Sequence, residues 1–343
     1  MFVPRNNYRA VLIVKAAHML SGNRFHSIPL FTGKHHIILD EKVNSLSNLK
    51  KERGLNSFIK SDFPRMNCRH GKVRDIYDLG DSLILIASDR ISAFDWILPT
   101  TIPGKGKILT CMSVFWFRYL GYPNHLVTTD PKLMGEPFSS NEDKVSGRIM
   151  MVKKTKVIPF ECVARGYLAG SAWGEYQQFG TIGGVKMPKG LRLAEKLEEP
   201  LFTPSTKSDA GHDINVTFQE LCNSIGSELA GQLKTITLAF YEKGNRYAQG
   251  RGIILADSKF EFGTLDGQLF LIDEVFTPDS SRFWDIGGYR IGISPPSFDK
   301  QFVRDWLEAS GWDKQSTPPS LPIAVVEKTI KRYEEALRIL TVL

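Results

Sequence analysis

The chain has 343 residues, of which 42% are hydrophobic and 24% are charged, and its formal net charge is +7. This length permits two lobes around a sizeable core, and the composition is that of a globular protein. Most of the positive charge is local, because residues 1–70 hold 12 Lys and Arg against 4 Asp and Glu, which leaves about −1 for all later residues. The body of the chain is therefore nearly neutral, which argues against binding of DNA or RNA as its task.

The apolar runs and the cysteines argue against further classes of protein. The longest apolar runs fall well short of a membrane span. The four cysteines lie far apart without a Cys-x-x-Cys pair, which argues against a zinc knuckle and against a dense disulfide framework. We therefore expect a soluble protein of a reducing compartment, the cytoplasm. The cysteines are Cys68, Cys111, Cys162 and Cys222.

Residues 1–50 differ from the rest of the chain. Five basic residues and no acidic one precede Asp40, and no clear amphipathic period is visible. A transit peptide has this charge pattern, although Ser is not abundant, and a disordered extension or an upstream start codon explains the segment equally well. We assign no chemistry to this extension, and its role, including import into an organelle, stays open.

Residues 55–153 are predicted to form a β-rich N-terminal lobe. The sequences KVRDIYDL and SLILIAS indicate two strands around a Gly-Asp turn, and HLVTT and GRIMMVKKTKVIP indicate further strands. Between them, LTCMSVFWFRYLG has apolar residues at helical spacing and a stop at Gly121. This part is therefore expected to be a mainly antiparallel sheet with one helix.

Three short motifs in this lobe carry polar groups. In HGKVRDIY, Lys72 and Arg74 alternate directly after Gly71, and two cations on one strand face suit a polyphosphate, although a short basic strand face is also commonplace. PGKGKILT lacks the Walker spacing and is interpreted first as a loop. In ASDRISAFD, polar residues crowd the end of an apolar strand, where sites and ordinary turns have the same composition. These residues are Ser88, Asp89, Arg90 and Asp95.

Residues 154–343 are predicted to form a second lobe with several helices. Thr217 and Glu220 form a capping box at the start of a long helix whose buried face continues to Phe240. The other expected boundaries are a cap at Ser297, a helix end before Gly311 and a final helix opened by Pro322. The fold class is therefore α+β, with a cleft expected between the lobes.

Two motifs of the second lobe offer groups for an anion. In FECVARGYLAGSAWGEY, the Gly170-Ser171 pair can offer amides and a hydroxyl to a phosphate, and Arg165 can offer a bidentate fork. TPSTKSDAGHDINV forms a loop too polar to belong to a core, and its histidine could act as a base, but no partner for it is visible. Its polar residues are Lys207, His212, Asp213 and Asn215, and the first motif also contains Glu161.

The segment ILADSKFEFG carries a charged stripe. Because a strand alternates its side chains, Asp257, Lys259 and Glu261 are expected to share one face. A tight Asp-Gly turn then leads into a second strand, which returns Glu274 to that face if the turn is unbulged and Asp273 if one residue is bulged. A salt-bridged, solvated sheet face would explain the stripe, but carboxylates gathered in this way suit Mg²⁺ bound together with substrate phosphates.

Six motifs together resemble one family. GKVRDIY, SDRISAFD, PFECVARGYLAGS, TPSTKSDAGHD, LADSKFEFG and DEVFTPDSSRFW stand in the order and spacing of the phosphoribosylaminoimidazole-succinocarboxamide synthase (SAICAR synthetase) family, over about residues 55–343. Phe160 stands where the family usually has a smaller aliphatic residue, and residues 1–50 have no counterpart. The resemblance implies a two-lobed α+β fold with a kinase-like antiparallel β N-terminal lobe, an ATP-grasp-like second lobe, and ATP in the cleft between them.

The resemblance also implies a reaction. Such an enzyme is an ATP-dependent carbon-nitrogen ligase of de novo purine biosynthesis, which condenses carboxyaminoimidazole ribonucleotide (CAIR) with L-aspartate through an acyl phosphate to give SAICAR, ADP and phosphate. Catalysis of this kind depends on positioning and on neutralisation of charge by Mg²⁺, lysines and arginines. One alternative is a small-molecule phosphotransferase of related fold, which the absence of a kinase His-Arg-Asp motif disfavours. The other is a non-catalytic nucleotide-binding regulator, which the intact acidic pair and Lys259 disfavour.

The resemblance assigns roles to individual residues without naming those that contact aspartate. The ATP-binding residues are Gly71, Lys72, Arg74 and Lys153, and the metal ligands are Glu261 and Asp273, chosen over Glu274. The catalytic residues are Asp257, Lys259, Arg90 and Lys207. The substrate-binding residues are Ser88, Asp89, Arg165, Ser171, His212, Asp213 and Arg282.

Overall fold

In the computed structural model, which describes residues 57–64, 66–207 and 214–341, a five-stranded antiparallel sheet forms the N-terminal lobe. Its strands in sheet order are β1 (Cys68–His70), β2 (Arg74–Asp78), β3 (Ser82–Ala87), β7 (Ile149–Lys153) and β6 (Leu126–Thr128). The remaining strands of this lobe are β4 (Arg90–Ala93) and β5 (Trp96–Thr101), which form a separate hairpin. The mainly antiparallel sheet expected here is therefore confirmed.

Alternation along the strands gives this sheet two apolar faces. Tyr77, Ile84 and Ile86 are buried on one face among aromatic rings, whereas Leu85 packs on the other face with a residue of helix α1 (Lys105–Leu120). Helix α1 ends where Gly121 takes a φ of 66°, so the expected stop is confirmed. The short helix α2 (Glu142–Val145) and the 3₁₀ turns Pro131–Leu133 and Ser139–Asn141 complete the lobe.

A six-stranded antiparallel sheet forms the second lobe. Its central strand β13 (Ile253–Leu265) pairs with β8 (Lys156–Tyr167) on one side and with both β14 (Gln268–Ile272) and β15 (Ser281–Asp285) on the other. Strands β11 (Lys196–Phe202) and β12 (Ser205–Thr206) pair with β8, and β9 (Thr181–Ile182) and β10 (Val185–Lys186) form a small hairpin. Most of β13 is buried, so the charged side chains on it are largely withdrawn from water.

The helices of the second lobe pack in two places. They are α3 (Gly170–Phe179), α4 (Phe218–Ile225), α5 (Ser227–Gln249), α6 (Gln301–Ala309) and α7 (Ile323–Thr341). Helix α5 packs along β13, where the ring of Phe240 meets those of Phe260 and Phe262. Helices α6 and α7 pack instead on the β4–β5 hairpin, with Val303 and Val325 in one cluster with hairpin residues. The C-terminal helices therefore attach the second lobe to the first.

Backbone hydrogen bonds also join the lobes. Leu271 of β14 accepts from the His125 N–H at 3.1 Å and donates to the Pro123 carbonyl at 3.0 Å. The His125 carbonyl in turn accepts from the N–H of Lys153, the last residue of β7, at 2.7 Å. The segment 123–125 therefore lies between the two sheets and brings the end of β7 beside the β13–β14 hairpin.

Several expected boundaries are wrong for local reasons. The helix that begins at Thr217 ends at Ile225, because Gly226 takes a φ of 86° that a right-handed helix does not allow, and α5 begins after it. Helix α6 begins at Gln301 rather than after Ser297. GRIMMVKKTKVIP contains all of β7 and the start of β8, and PGKGK contains the first turn of α1 rather than only a loop.

The lobe boundary near residue 153 stays a prediction. The expectations for residues 1–50 lie outside the described residues. Within the part of the chain that the structure describes, no helix combines the length and apolarity needed to cross a membrane.

Replacing Thr217 with alanine is expected to lower the free energy of unfolding by about 1 kcal/mol. The Thr217 hydroxyl accepts from the Glu220 N–H at 3.2 Å, and the Glu220 carboxylate accepts from the Thr217 N–H at 2.7 Å, so the variant loses the capping box. Urea denaturation followed by circular dichroism measures the change. The matched control is Thr235→Ala on the exposed side of α5, where the hydroxyl only donates to the Gly231 carbonyl. Equal losses in the two variants would contradict the role of the cap.

Candidate active site

Strands β13 and β8 gather the charged stripe and a second set of charges. Lys259 and Glu261 share one face of β13, as predicted, and Asp257 continues the stripe. In the β8 register, Glu261 lies directly opposite Glu161, and Asp257 lies directly opposite Arg165. Like charges at opposed positions destabilise a sheet unless a cation separates them. The Lys259 ammonium does so, because it contacts the Glu161 carboxylate and lies 3.3 Å from that of Glu261.

The hairpin after β13 places the acidic pair in neither of the two arrangements that the sequence predicted. The hairpin is unbulged and pairs Glu261 with Ile272, the last residue of β14. Asp273 then takes a φ of 66°, a left-handed value that few residues other than glycine adopt. Asp273 and Glu274 therefore leave the ladder, and both carboxylates form ion pairs with Arg74 of the N-terminal lobe. An unbulged turn thus still delivers Asp273 to the charged cluster.

Asp273 is held by cations from three segments. Besides its ion pair with Arg74, it is attracted by Lys207 and by Lys259. Burial by itself raises the pKa of a carboxyl group, but these three cations outweigh burial and hold the pKa of Asp273 well below its usual range. The carboxylate is therefore ionised at physiological pH.

Two cations of the cluster are permanently charged. Burial alone would lower the pKa of Lys259, but attraction to Glu261, Glu161 and Asp273 raises it above the usual range. The pKa of Arg74 is raised in the same way, because Asp273 and Glu274 outweigh the effect of burial. A lysine that does not lose its proton suits a contact with phosphate rather than the role of a base.

We call this cluster the acidic half of the cleft. Among the described residues it comprises four carboxylates and three cations, so one negative charge is in excess. This excess and the supply of carboxylate oxygens fit a divalent ion such as Mg²⁺, which Glu261 and Asp273 could hold together with phosphate groups. Its members are Glu161, Glu261, Asp273, Glu274, Arg74, Lys207 and Lys259.

A second cluster begins at Asp257 and is rich in cations. The Asp257 carboxylate pairs with Arg165 at 3.0 Å and also with Arg282. Arg165 donates in addition to the hydroxyls of Ser171 at 3.1 Å and Thr203 at 2.8 Å. Three of the residues predicted to bind substrate, Arg165, Ser171 and Arg282, are thus brought together.

Gly170 allows Arg282 to approach the start of helix α3. A Cβ atom at Gly170 would lie 2.1 Å from a guanidinium nitrogen of Arg282, and the φ of 56° there also disfavours any side chain. The free N–H groups of a helix N-terminus and two guanidinium groups together form an arrangement that binds phosphate. The phosphate position inferred from the Gly-Ser pair therefore has a structural basis.

Sequence reasoning missed the charges that continue this cluster. Asp279 lies 2.8 Å from the ammonium of the buried Lys105 and 3.8 Å from that of Lys300. Arg304, one helical turn after Lys300, lies 3.9 Å from Asp299. In DKQFVRDWLEA, Lys300 and Arg304 look like residues on the exposed side of an amphipathic helix, so no sequence pattern marks them as part of a site.

We call this second cluster the basic half of the cleft. Among the described residues it comprises five cations and three carboxylates, so two positive charges are in excess. Its members are Lys105, Arg165, Arg282, Lys300, Arg304, Asp257, Asp279 and Asp299.

Ser88 and Asp89 make internal contacts of the N-terminal lobe. The Ser88 hydroxyl donates to the Val73 carbonyl at 2.8 Å. The Asp89 carboxylate accepts from Arg148 at 2.9 Å and from the Gly106 N–H at 3.0 Å, and both Ser88 and Asp89 are buried. These contacts join β3, β7 and α1, and the structure does not gather the two side chains with the other residues predicted to bind substrate.

Arg90 supports the loop that was predicted to bind ATP. Its guanidinium donates to the carbonyls of Gly71 at 2.9 Å and Lys72 at 3.1 Å, and its catalytic role stays a prediction. Strand β2 begins only at Arg74, so the expectation that Lys72 shares its strand face is wrong. Lys72 lies in the loop instead, where its ammonium pairs with Asp95 at 2.7 Å.

The other predicted residues lie at the junction of the lobes or outside the described residues. The Lys153 ammonium lies 4.8 Å from the centre of the Phe270 ring on β14, at the junction of the lobes, where the resemblance places ATP. Beside this junction, burial lowers the pKa of His125 to about 4, so its ring is neutral at pH 7. His212 and Asp213 lie outside the described residues.

Comparison with known proteins relates the chain to one group of enzymes. A family model described as SAICAR synthetase matches residues 67–319. A phosphoribosylaminoimidazole-succinocarboxamide synthase of Syntrophobacter fumaroxidans is 52% identical over 283 residues, which cover 81% of this chain and 94% of the relative. The solved SAICAR synthase of Saccharomyces cerevisiae complexed with SAICAR has a TM-score of 0.74 and 39% identity, over 83% of this chain and 98% of that chain. A SAICAR synthetase solved in complex with ADP has a TM-score of 0.60 and 25% identity, over 80% and 97% of the two chains.

Replacing Gly170 with alanine is expected to weaken binding of ribose 5-phosphate by roughly tenfold, the effect of about one hydrogen bond to a charged group. The new methyl group would occupy the space of the Arg282 guanidinium and displace it from the start of α3. Isothermal titration calorimetry measures the change. Gly174→Ala is the matched control, because it lies in the same helix and nothing stands within 4 Å of its added Cβ. Similar affinities in the two variants would place the phosphate elsewhere.

Proposed function

The chain belongs to the SAICAR synthetase family, and we propose that its cleft joins the carboxylate of CAIR to the amine of L-aspartate while ATP is converted to ADP and phosphate. The enzyme is a ligase of purine biosynthesis, as its relatives are. The observation that carries the proposed mechanism is the division of the cleft into an acidic half and a basic half. The three substrates are anions, which need cations, and ATP binds together with a metal ion, which needs carboxylates. The reaction therefore requires both kinds of environment.

The first step activates the carboxylate, because a free carboxylate is a poor electrophile. A carboxylate oxygen of CAIR attacks the γ-phosphorus of ATP, the bond from that phosphorus to its bridging oxygen breaks, and ADP leaves. Lys259, held between Glu161 and Glu261, stabilises charge on the transferring phosphoryl group. Lys72 and Arg74 contact the remaining phosphates, and the adenine lies at the lobe junction near Lys153.

Glu261 and Asp273 would hold Mg²⁺ in the acidic half. When bound, the ion neutralises charge on the β- and γ-phosphates. The carboxylate excess of the acidic half supports this role, because otherwise the phosphates of ATP would meet a surplus of negative charge. Lys207 pairs with Glu261 and holds that carboxylate in the cluster.

The second step forms the amide. The amine of aspartate attacks the acyl carbon, the bond from that carbon to the phosphate oxygen breaks, and phosphate leaves with the electron pair. The amide nitrogen loses its proton to the departing phosphate. Arg165, Ser171 and Arg282 hold the 5′-phosphate of CAIR, which fixes the distance from its carboxylate to Lys259. Asp257 positions both guanidinium groups for this contact.

The cytoplasm is the proposed location of the enzyme. Among the described residues, no disulfide joins the cysteines at positions 68, 111, 162 and 222, which agrees with a reducing compartment. Burial raises the pKa of the Cys162 thiol to about 12, so this cysteine is not reactive.

The proposed reaction is tested by measuring ADP release with each substrate omitted in turn. Sustained release is expected only when ATP, CAIR and aspartate are all present, because the acyl phosphate is consumed only by the amine. The appearance of SAICAR, measured by chromatography, should match that of ADP. Sustained ADP release without aspartate, accompanied by a stable phosphorylated product, would favour a phosphotransferase instead.

Replacing Asp273 with asparagine is expected to reduce turnover roughly a hundredfold or more, the order seen when one key electrostatic group is lost. The variant should also need more Mg²⁺ for half-maximal activity, since one ligand charge is missing. Glu274→Gln is the matched control, because Glu274 also pairs with Arg74, at 2.6 Å, but it accepts a hydrogen bond from the Thr277 hydroxyl. Steady-state assays over a range of Mg²⁺ concentrations measure both effects. A greater loss in the Glu274 variant would reverse the ligand assignment.

A further inference from the structure

Lys300 and Arg304 are two cations of the cleft that the reaction steps above do not use. They stand four residues apart at the start of α6, which places them on one face of the helix. Both side chains are largely buried but still accessible, with 12% and 25% of their surface exposed. A ligand that enters the cleft can therefore reach them.

The carboxylate nearest to Lys300 is neutralised by another residue. Asp279 lies 3.8 Å from the Lys300 ammonium, which is too long for a hydrogen bond. The same carboxylate lies 2.8 Å from the fully buried Lys105 and accepts from the Tyr333 hydroxyl at 3.0 Å. Lys105 therefore balances the charge of Asp279. Among the described residues no carboxylate lies nearer to the Lys300 ammonium, so the positive charge of Lys300 is not offset.

Arg304 also lacks a close anionic partner. It lies 3.9 Å from Asp299, whose carboxylate already accepts from the N–H groups of Phe283 at 2.8 Å and Gln301 at 2.7 Å. Burial and repulsion from Arg282 lower the pKa of Arg304, so its charge is poorly compensated in the free enzyme. Lys300 and Arg304 thus account for the excess positive charge of the basic half.

The two cations lie within electrostatic range of groups in both halves of the cleft. Lys300 is attracted by Glu274 of the acidic half, and Arg304 is repelled by Arg282 of the phosphate position. In the proposed function, the reacting carbon must lie between the γ-phosphate in the acidic half and the 5′-phosphate beside Arg282. Aspartate has to approach that carbon, and its two carboxylates need cations that neither phosphate already occupies.

We propose that Lys300 and Arg304 together bind a carboxylate of the amino acid substrate. The inference rests on the proposed function and adds residues for the one substrate that the resemblance left without contacts. Arg304 offers a planar fork and Lys300 a point charge, so the pair can bind both oxygens of one carboxylate. An amino acid or analogue that lacks this carboxylate would leave the pair uncompensated and should bind weakly.

The proposal has a consequence for pH dependence. Burial lowers the pKa of Lys300 to about 8, and repulsion from Arg304 and Lys105 contributes, against attraction by Asp279 and Glu274. A bound carboxylate favours the ammonium form and raises this pKa. The affinity for the carboxylate should therefore be full below pH 8 and fall as the pH rises above it.

Lys300→Met is expected to raise the KM for aspartate roughly 10- to 100-fold, the effect of losing a hydrogen bond to a charged group, and to change the KM for ATP and CAIR less than about twofold. Lys300→Arg keeps the charge and should recover most of the affinity. Lys314→Met is the control, because Lys314 lies on the exposed segment after α6, paired with Glu308. If Lys300 only supported the fold, Lys300→Met would lower Tm and kcat without a selective effect on aspartate, and this result would overturn the proposal.

Succinate provides a second test, because it has the two carboxylates of aspartate and no amine that titrates near pH 8. Its inhibition constant against aspartate should rise roughly tenfold between pH 7 and pH 9 in the unmodified enzyme, as the ammonium with a pKa of about 8 is lost. In Lys300→Arg the constant should stay flat over that range. This test remains decisive even if Lys300→Met does not fold.

The outcomes separate this proposal from the function on which it rests. An enzyme that releases no ADP with CAIR and aspartate would overturn both. An active enzyme with pH-independent inhibition by succinate, or a Lys300→Met variant that loses affinity for CAIR rather than for aspartate, would overturn the carboxylate position alone.

Discussion

The ammonium of Lys259 between the carboxylates of Glu161 and Glu261 is the interaction on which the cleft depends. The two glutamates are directly opposed on neighbouring strands and both are buried, so without the lysine their repulsion would oppose the pairing of β8 with β13. The same register sets Arg165 opposite Asp257, four residues away along each strand. One ammonium thus stabilises the alignment that builds both the acidic half and the start of the basic half.

Arg74 has a comparable role between the lobes. Its ion pairs with Asp273 and Glu274 connect residues 199 and 200 positions apart and hold the acidic pair away from the ladder. The left-handed φ of Asp273 is an unfavourable conformation for a residue with a side chain, and the ion pair gives a physical reason for it to persist. Helices α6 and α7, which pack on the β4–β5 hairpin, fix Lys300 and Arg304 on the opposite side. The cleft is therefore assembled from segments of both lobes.

The sequence predicted those parts of the site that depend on local periodicity. Asp257, Lys259 and Glu261 alternate along a strand, and a tight turn follows them, so their shared face and the nearby acidic pair could be inferred. The orientation of Asp273 could not, because it depends on Arg74, far away in the chain. Polar residues at a strand end, such as Ser88 and Asp89, look alike in a sequence whether they face a ligand or, as with Asp89 and Arg148, each other. Burial of a charge is not visible in a sequence.

The sequence also could not predict that Lys300 and Arg304 face the cleft. On a short helix their spacing is typical of a solvated face, and only the packing of α6 beside Asp279 and Arg282 turns them toward the cleft. Their pKa values are shifted in the opposite direction to those of the cations in the acidic half. The pKa of Lys259 and that of Arg74 are raised because carboxylates compensate them, whereas the pKa of Lys300 and that of Arg304 are lowered because burial and neighbouring cations are not offset. The charges of Lys259 and Arg74 stabilise the cleft itself, whereas those of Lys300 and Arg304 are compensated when an anion binds.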